Sequence, residues 1–269
     1  MRLAVICASG VLARNVIPRL LAAGHSVNGL VHRPESAARA RALGAAPVVG
    51  DIFDAASLTP ALAGCEAVLN LATSVPRPGT PNPDHTRNSR MRREGAAILV
   101  AACKSAGVKR LIQQSIALYM ISKGDEFVDE ATPLPAIPRN EAVIAMETAV
   151  RESGLEFCIL RGGGFYGPDT GYDSEWRRLA RMGALTCAGD GGSWISPIHV
   201  ADMGSAVVDD EPVRQRTLFE HIATLEGVAP PRGSGDPAPP SFRVSNAQIR
   251  RVLGWAPFYP SYRIGLASC

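Results

Sequence analysis

The first twenty-five residues constrain the fold of this chain more than any other stretch. Residues 2–7 (RLAVIC) form a short apolar run that predicts a buried strand, and residues 8–10 (ASG) predict a tight turn. Residues 11–23 follow with apolar side chains at helical spacing and end before Gly24. A strand that enters a helix through a turn of small residues is typical of an α/β unit, in which helices cover a parallel sheet.

The same alternation of strand and helix continues to residue 161. It predicts right-handed crossovers and a doubly wound, Rossmann-type parallel sheet. We predict a Rossmann domain over residues 1–161, to which residues 196–208 return, and a small C-terminal substrate-binding subdomain over residues 162–195 and 209–269. The further predicted strands are residues 26–32, 46–49, 66–71, 109–114 and 155–161, and the predicted helices between them include residues 84–106 and 140–153.

The opening turn also predicts a ligand. A small-residue turn before a helix lets the backbone approach a pyrophosphate, and the helix N-terminus supplies free N–H groups. Where a Gly-x-x-Gly-x-x-Gly pattern would place three glycines, this chain has Cys7, Gly10 and Ala13. Cys7 puts a Cβ where the turn is tightest, and Ala13 adds a methyl group at the helix–strand contact. The turn therefore leaves two alternatives, a dinucleotide site and a turn too altered to bind any cofactor.

Composition excludes several classes of protein. The net charge of +3 is small, and the basic clusters lie on helix-like stretches, so we predict no nucleic-acid partner. No apolar run reaches the roughly 18 residues that span a membrane, and the N-terminus lacks a signal-peptide pattern. The six cysteines show no metal-ligand spacing, which predicts reduced thiols, no metal site and a cytoplasmic location. A small-molecule substrate remains the expected partner.

Six segments in the same order resemble the extended or atypical short-chain dehydrogenase/reductases, the group that includes sugar-nucleotide epimerases and dehydratases. The resemblance extends over nearly the whole chain, from the first of these segments to the last. The segments are CASGVLARNVIPRLLAAGHSV (residues 7–27), GDIFDAASLTPALAGCEAVLNLAT (50–73), AGVKRLIQQSIALY (106–119), ILRGGGFYGPD (159–169), ISPIHVADMGSA (195–206) and RVSNAQIRRVLGWAPFYPS (243–261).

The resemblance implies a set of residues that bind NAD or NADP. Arg33 stands where an acidic residue would bind the ribose 2′-OH, and a guanidinium there suits a 2′-phosphate, which slightly favours NADP. The alternative for Arg33 is an exposed residue before a proline. The residues implied are Cys7, Ser9, Gly10, Val11 and Leu12 at the pyrophosphate, Arg33, Asp51 and Ile52 at the adenosine, Leu71, Ala72 and Thr73 under the nicotinamide ribose, and Gly163 and Phe165 at the nicotinamide.

The catalytic pair implied by the resemblance is missing from its usual place. These enzymes carry Tyr-x-x-x-Lys on the helix after the fifth strand, where the lysine lowers the pKa of the tyrosine. Counting back from Glu147, the two positions hold Arg139 and Val143. Tyr119 and Lys123 have the right spacing but lie in a predicted loop. The alternative is that Tyr119 is the partly buried tyrosine that the family usually has here and that Lys123 is exposed.

Ser115 matches the serine that binds the substrate oxygen beside the tyrosine, with a backbone-bonded strand-end serine as the alternative. We therefore predict Ser115 and Tyr119 as the catalytic residues.

Three functions follow as hypotheses. The first is an NAD(P)-dependent oxidoreductase or epimerase-like enzyme acting on a small metabolite. The second is a non-redox cyclase, dehydratase or isomerase of secondary metabolism on the same scaffold, because a fold does not fix a reaction. The third is a non-catalytic sensor that binds NAD(P). The family also implies a homodimer through the helices at residues 84–106 and 140–153.

Overall fold

The computed structural model describes residues 1–118, 120–203 and 211–269. The chain divides into two compact units. The first consists of Met1–Pro76, Pro81–Ser115 and Ala136–Arg161, and the second consists of Arg77–Thr80, Ile116–Pro135 and Gly162–Cys269. Among the described residues, no helix combines the length and the apolar character needed to cross a membrane.

A six-stranded parallel sheet with flanking helices forms the first unit, in the order β3-β2-β1-β4-β5-β6. The first three strands are added outward from β1 to one edge of the sheet, and β4, β5 and β6 are added to the opposite edge. This change in strand order between β1 and β4 confirms the predicted Rossmann-type architecture. The strands are β1 (Arg2–Ile6), β2 (Ser26–Val31), β3 (Ala46–Val49), β4 (Ala67–Asn70), β5 (Arg110–Ile116) and β6 (Glu156–Gly162). The helices are α1 (Val11–Ala22), α2 (Ala37–Ala42), α3 (Ala55–Leu62), α4 (Thr86–Arg90), α5 (Ala96–Ser105) and α6 (Glu141–Arg151).

The core of this unit lies between the sheet and the helices α3 and α5. Leu58, Val68, Leu99 and Leu111 are fully buried there. Each buried aliphatic side chain of this size contributes about 1.5–3 kcal/mol to folding. This packing fixes the carboxyl ends of β1, β2, β4 and β5, which is where ligands bind in open parallel sheets.

The predicted helix over residues 84–106 is present but irregular. Residues Met91–Gly95 form a π-helical turn between α4 and α5. At the end of this turn the helix passes close to the adenosine side of the sheet, since a Cβ added to Gly95 would lie 3.2 Å from Cγ2 of Ile52. Sequence periodicity does not distinguish a π-turn from the α-helix around it.

The second unit contains short strand pairs and helices around its own core of Tyr166, Leu218, Ile222, Tyr262 and Leu266. Its strand pairs are β7 (Gly164–Tyr166) with β10 (Pro197–His199), β8 (Thr186–Cys187) with β12 (Arg232–Gly233), and β9 (Trp194–Ile195) with β11 (Val213–Arg214). Its helices are α7 (Tyr172–Arg181), α8 (Val200–Met203), α9 (Gln215–Leu225), α10 (Ala247–Leu253) and α11 (Tyr262–Ala267).

Two segments that the sequence-based division places in the Rossmann domain lie in the second unit of the structure. Residues 116–135 lie in the second unit. The amide of Val128 donates to the carbonyl of Arg243 at 2.8 Å, and Ser122 donates to Ser241. The described part of the predicted return segment, residues 196–203, also lies in the second unit, because β10 pairs with β7. These pairings join residues far apart in the sequence, and local patterns do not show them.

Candidate functional site

The turn between β1 and α1 has the shape that the sequence predicts. Gly10 is the N-cap of α1 in extended backbone (φ −74°, ψ 170°). Glycine carries no side chain that could cap the first amide groups of the helix, so those at Val11 and Leu12 are available to an anion. A Cβ added to Gly10 would lie 3.2 Å from both the carbonyl oxygen and the sulfur of Cys7, so the turn is tightly closed at this position.

Cys7 adopts a backbone conformation that normally favours glycine. Its φ is +67°, in the left-handed region, where a side chain costs on the order of 1 kcal/mol. Burial raises the pKa of the Cys7 thiol, although hydrogen bonds from the backbone of Thr73 and Gly10 act in the opposite direction. The raised pKa keeps the thiol protonated at neutral pH, and the amide of Gly10 donates to the carbonyl of Cys7 at 3.0 Å.

The ends of β2 and β3 form the predicted adenosine side. Arg33 is exposed directly after β2, and Ile52 is buried. The Asp51 carboxylate accepts from the amide of Phe53 at 3.0 Å, and its other oxygen lies 3.7 Å from Nδ1 of His32. Sequence reasoning did not single out His32, although its place immediately after β2 and beside Arg33 was a sufficient signal.

A stacked pair borders this side of the unit. The Arg90 guanidinium lies 4.1 Å from the centre of the Phe53 ring, which is within cation–π range. Phe53 follows the predicted adenine contacts Asp51 and Ile52 directly. The sequence does not predict the pair, because the two residues come from different elements.

The loop after β4 contains the predicted nicotinamide-side residues. Ala72 donates its amide to Oδ1 of Asn70 at 3.2 Å, and Ser74 donates its amide to Oδ1 of Asn88 at 2.9 Å. The backbone of Thr73, between them, acts to lower the pKa of the Cys7 thiol. Leu71 itself is buried. Sequence reasoning missed Asn70 and Asn88, and a polar residue within a helix such as Asn88 gave no specific signal.

Ser115 donates its hydroxyl proton to a buried carboxylate rather than to backbone. Its Oγ lies 2.7 Å from Oε1 of Glu147. Arg161 donates to both oxygens of Glu147, at 2.9 and 2.7 Å, and Arg151 donates to Oε2 at 2.7 Å. Burial raises the pKa of Glu147, but the hydrogen bonds from Arg161, Ser115 and Arg151 outweigh it and hold the pKa below its ordinary value. The Ser115 oxygen keeps only the capacity to accept a further hydrogen bond.

The structure does not supply a lysine or tyrosine at the usual catalytic positions. Arg139 lies exposed in a 3₁₀ turn before α6, and Val143 is fully buried on α6. Lys123 lies in a bend followed by a turn, not in a helix. Tyr119, the other predicted catalytic residue, lies outside the described residues.

The second unit contains the remaining predicted residues. Gly163 is buried between β6 and β7, and Phe165 lies in β7. A Cβ added to the neighbouring Gly162 would lie 2.7 Å from both Met203 Sδ and Phe165 Cε1, so only glycine fits there without displacement. The Asp202 carboxylate accepts the amides of Phe258 and Tyr259, each at 2.8 Å, and so holds the C-terminal segment in place.

Comparison with known proteins identifies the family. A family model described as NAD(P)H-binding matches residues 7–211. The chain belongs to this NAD(P)H-binding family. The match begins at Cys7 in the opening turn and includes every residue predicted to contact the cofactor.

A curated relative aligns with this NAD(P)H-binding protein over its full length. The 3-diazoavenalumate denitrifying reductase of a Streptomyces species is 30% identical over an alignment of 305 positions, which covers 99% of each chain.

Solved structures show the same fold at lower identity. An NAD-bound short-chain dehydrogenase/reductase superfamily protein of Agrobacterium tumefaciens is 22% identical, with a TM-score of 0.76 over 100% of this chain and 95% of its own. The UDP-glucose 4-epimerase of Thermus thermophilus, solved with NAD, is 20% identical, with a TM-score of 0.78 over 99% of this chain and 96% of its own. These structures confirm the resemblance in fold to short-chain dehydrogenase/reductases, and the family match confirms the NAD(P)H-binding family.

The residues of the first unit fit NAD(P). The closed turn at Gly10 and the uncapped start of α1 suit a pyrophosphate. Arg33, His32 and Asp51 provide charged and polar groups at the predicted adenosine side, and the backbone of Thr73 in the loop after β4 acts to lower the pKa of the Cys7 thiol in the turn. Of the two alternatives for the turn, the family match favours the NAD(P) site.

Proposed function

We propose that this protein is an NAD(P)H-dependent reductase that reduces the diazo group of a small molecule. The observation that carries the proposal is the replacement of the tyrosine–lysine pair by Arg139 and the buried Val143. Arginine keeps its proton at neutral pH and valine has none to transfer. The full-length relative, whose name describes reductive removal of nitrogen from a diazo compound, supports the same reaction class.

A diazo substrate explains why the reaction does not need the tyrosine–lysine pair as a proton donor. Hydride addition to a carbonyl leaves an alkoxide that a general acid has to protonate. A diazonium group carries a positive charge, and hydride neutralises it. The reduced nicotinamide supplies that hydride, and the balanced reaction is R–N₂⁺ + NAD(P)H → R–H + N₂ + NAD(P)⁺. The C–N bond breaks, a C–H bond forms, N₂ leaves, and no net proton is drawn from the protein.

In this proposal Ser115 contacts the substrate as an acceptor. Its proton is donated to Glu147, so its oxygen can accept from a hydroxyl or amino group of the substrate. The four hydrogen bonds on Glu147 hold the end of β5 in a single geometry.

Cofactor titration followed by turnover assays tests the proposed function. We expect the purified protein to bind NADPH and to oxidise it with 4-hydroxybenzenediazonium, faster than the same mixture without protein. Turnover of ketones and aldehydes alone would contradict the diazo proposal. Tight binding without any turnover would favour the sensor hypothesis, and no cofactor binding would favour the non-redox enzyme.

Arg33→Ala is expected to weaken NADPH binding by about 10- to 100-fold and NADH binding by less than about threefold. A charge-assisted hydrogen bond to the 2′-phosphate accounts for an effect of this size, and NADH lacks that phosphate. Calorimetric titration of both cofactors measures the ratio. Arg39→Ala, an exposed arginine on α2, is the matched control and should change neither affinity. Equal weakening of NADPH and NADH would contradict the 2′-phosphate role.

Tyr119→Phe is expected to leave kcat for the diazo substrate within about twofold of wild type, because the reaction needs no general acid. Steady-state rates of NADPH oxidation provide the measurement. If the variant lost about 100-fold or more in kcat, Tyr119 would be a proton donor, and the proposal that the reaction needs no general acid would be wrong.

The homodimer stays a prediction, made by analogy with the family. Its proposed interface consists of the outer faces of α4, α5 and α6. Light scattering of the purified protein measures the molar mass directly.

A further inference from the structure

Two backbone amides in the loop after β4 each donate to an asparagine side chain. The amide of Ala72 donates to Asn70 Oδ1 at 3.2 Å, and that of Ser74 donates to Asn88 Oδ1 at 2.9 Å. An irregular loop has no strand partner to satisfy its amides, so side chains that do so determine its shape. We call Asn70 and Asn88 the asparagine clasp.

The clasp residues are anchored in two different elements. Asn70 ends β4 and is 2% exposed, and its Nδ2 donates to Oε1 of Gln113 at 2.9 Å. Gln113 lies opposite Asn70 on β5, is equally buried, and donates to the carbonyl of Gln114. Asn88 lies buried in α4. The loop is therefore held from the sheet and from a helix at once.

We propose that the asparagine clasp positions the loop at residues 72–74 for the nicotinamide half of the cofactor. This inference rests on the NAD(P) site of the proposed function. A loop that is already fixed loses less conformational entropy when the cofactor binds, so the clasp increases affinity without touching the substrate. The clasp residues are positioning residues.

Asn88 offers a matched pair of variants. Asn88→Leu has a similar size but no acceptor, whereas Asn88→Asp keeps an acceptor for the Ser74 amide. We expect Asn88→Leu to bind NADPH about five- to tenfold more weakly, the effect of one lost hydrogen bond, and Asn88→Asp to restore most of the affinity. Amide hydrogen exchange should accelerate at Ser74 in Asn88→Leu, which verifies that the contact was removed.

A fragment of the cofactor separates positioning from general damage. Adenosine-2′-phosphate-5′-diphosphoribose lacks the nicotinamide, so its affinity for Asn88→Leu should stay within about twofold of wild type. Asn28→Leu is the control, because Asn28 donates to Ala61 at 3.0 Å elsewhere in the same unit. This control should leave both affinities unchanged.

Asn88→Ala provides a second test if Asn88→Leu does not fold, because it removes the acceptor without adding a branched apolar side chain. Asn88→Asp should bind NADPH more tightly than Asn88→Ala by about fivefold. The inference is overturned if Asn88→Asp and the variant without an acceptor bind NADPH equally, or if NADPH and the nicotinamide-free fragment weaken in parallel. Absence of NADPH binding by wild type would instead contradict the proposed function.

Discussion

Glu147→Gln is expected to lower the free energy of unfolding by about 3–5 kcal/mol, the range measured when one partner of a buried ion pair is removed. Glu147 is 0% exposed, and the side chain of Arg161 is 13% exposed. The substitution keeps the size of the side chain but leaves the guanidinium of Arg161 without its buried counter-charge. Ser115 keeps a possible acceptor in the amide oxygen, so the effect arises mainly from the arginine.

Denaturant unfolding measures this effect, and Glu156→Gln is the matched control. Glu156 pairs with Arg110 in the same unit, but both side chains are more than half exposed. Removing an exposed pair costs about 0–1 kcal/mol. Equal losses in the two variants would show that the Glu147 network does not stabilise the fold.

The same network predicts a pH dependence of stability. The pKa of Glu147 is lower in the folded state than its ordinary value, because the hydrogen bonds from Arg161, Ser115 and Arg151 outweigh the cost of burial. Its contribution is therefore complete above the unfolded-state pKa and is lost as the pH falls through the folded-state pKa. We expect the difference in unfolding free energy between wild type and Glu147→Gln to shrink on acidification. A difference that grows would contradict this sign.

Gly10→Asp is expected to abolish cofactor binding while leaving the protein folded. Gly10 has extended backbone that any residue can adopt, and aspartate is a favourable helix N-cap. Its carboxylate would accept from the same amides that we assign to the pyrophosphate, and it would repel that anion. Coulomb repulsion at about 4 Å near a protein surface amounts to several kcal/mol, so we expect NADPH affinity to fall by about 100-fold or more.

Gly10→Ala separates charge from size. Alanine adds the same Cβ, 3.2 Å from the oxygen and sulfur of Cys7, but no carboxylate. Calorimetry should show a smaller loss of NADPH affinity in Gly10→Ala than in Gly10→Asp, and thermal unfolding should show both variants folded. NADPH affinity in Gly10→Asp within about threefold of wild type would mean that the pyrophosphate binds elsewhere.

The parallel sheet could be predicted because apolar periodicity and turn residues determine its strands and helices locally. The strand at residues 2–7, the small-residue turn and the following helix indicated an α/β unit, and the alternation that continues to residue 161 predicted a Rossmann-type sheet. The irregular turn at Met91–Gly95 could not be predicted, because its residues have ordinary helical patterns.

Contacts between distant residues were the part of the site that sequence could not supply. The left-handed backbone of Cys7 follows from its glycine-like position, but the hydrogen bond from the Ser74 amide to Asn88 depends on how the loop after β4 meets α4. Likewise, Ser115 could be predicted from its place at the end of β5, whereas its partner Glu147 lies 32 residues away on α6. The role of Ser115 at the substrate stays a prediction, and the Tyr119→Phe variant decides whether the catalytic role predicted for Tyr119 from the sequence holds.

The stoichiometry of nitrogen release tests the central claim most directly. Purified protein, NADPH and 4-hydroxybenzenediazonium are incubated, and the N₂ released above a protein-free control is compared with the NADPH oxidised. The proposed reaction predicts one N₂ for each NADPH, with a rate that saturates in both reactants. NADPH binding without any protein-dependent N₂ release, or NADPH oxidation that leaves the diazo group intact, would contradict the account.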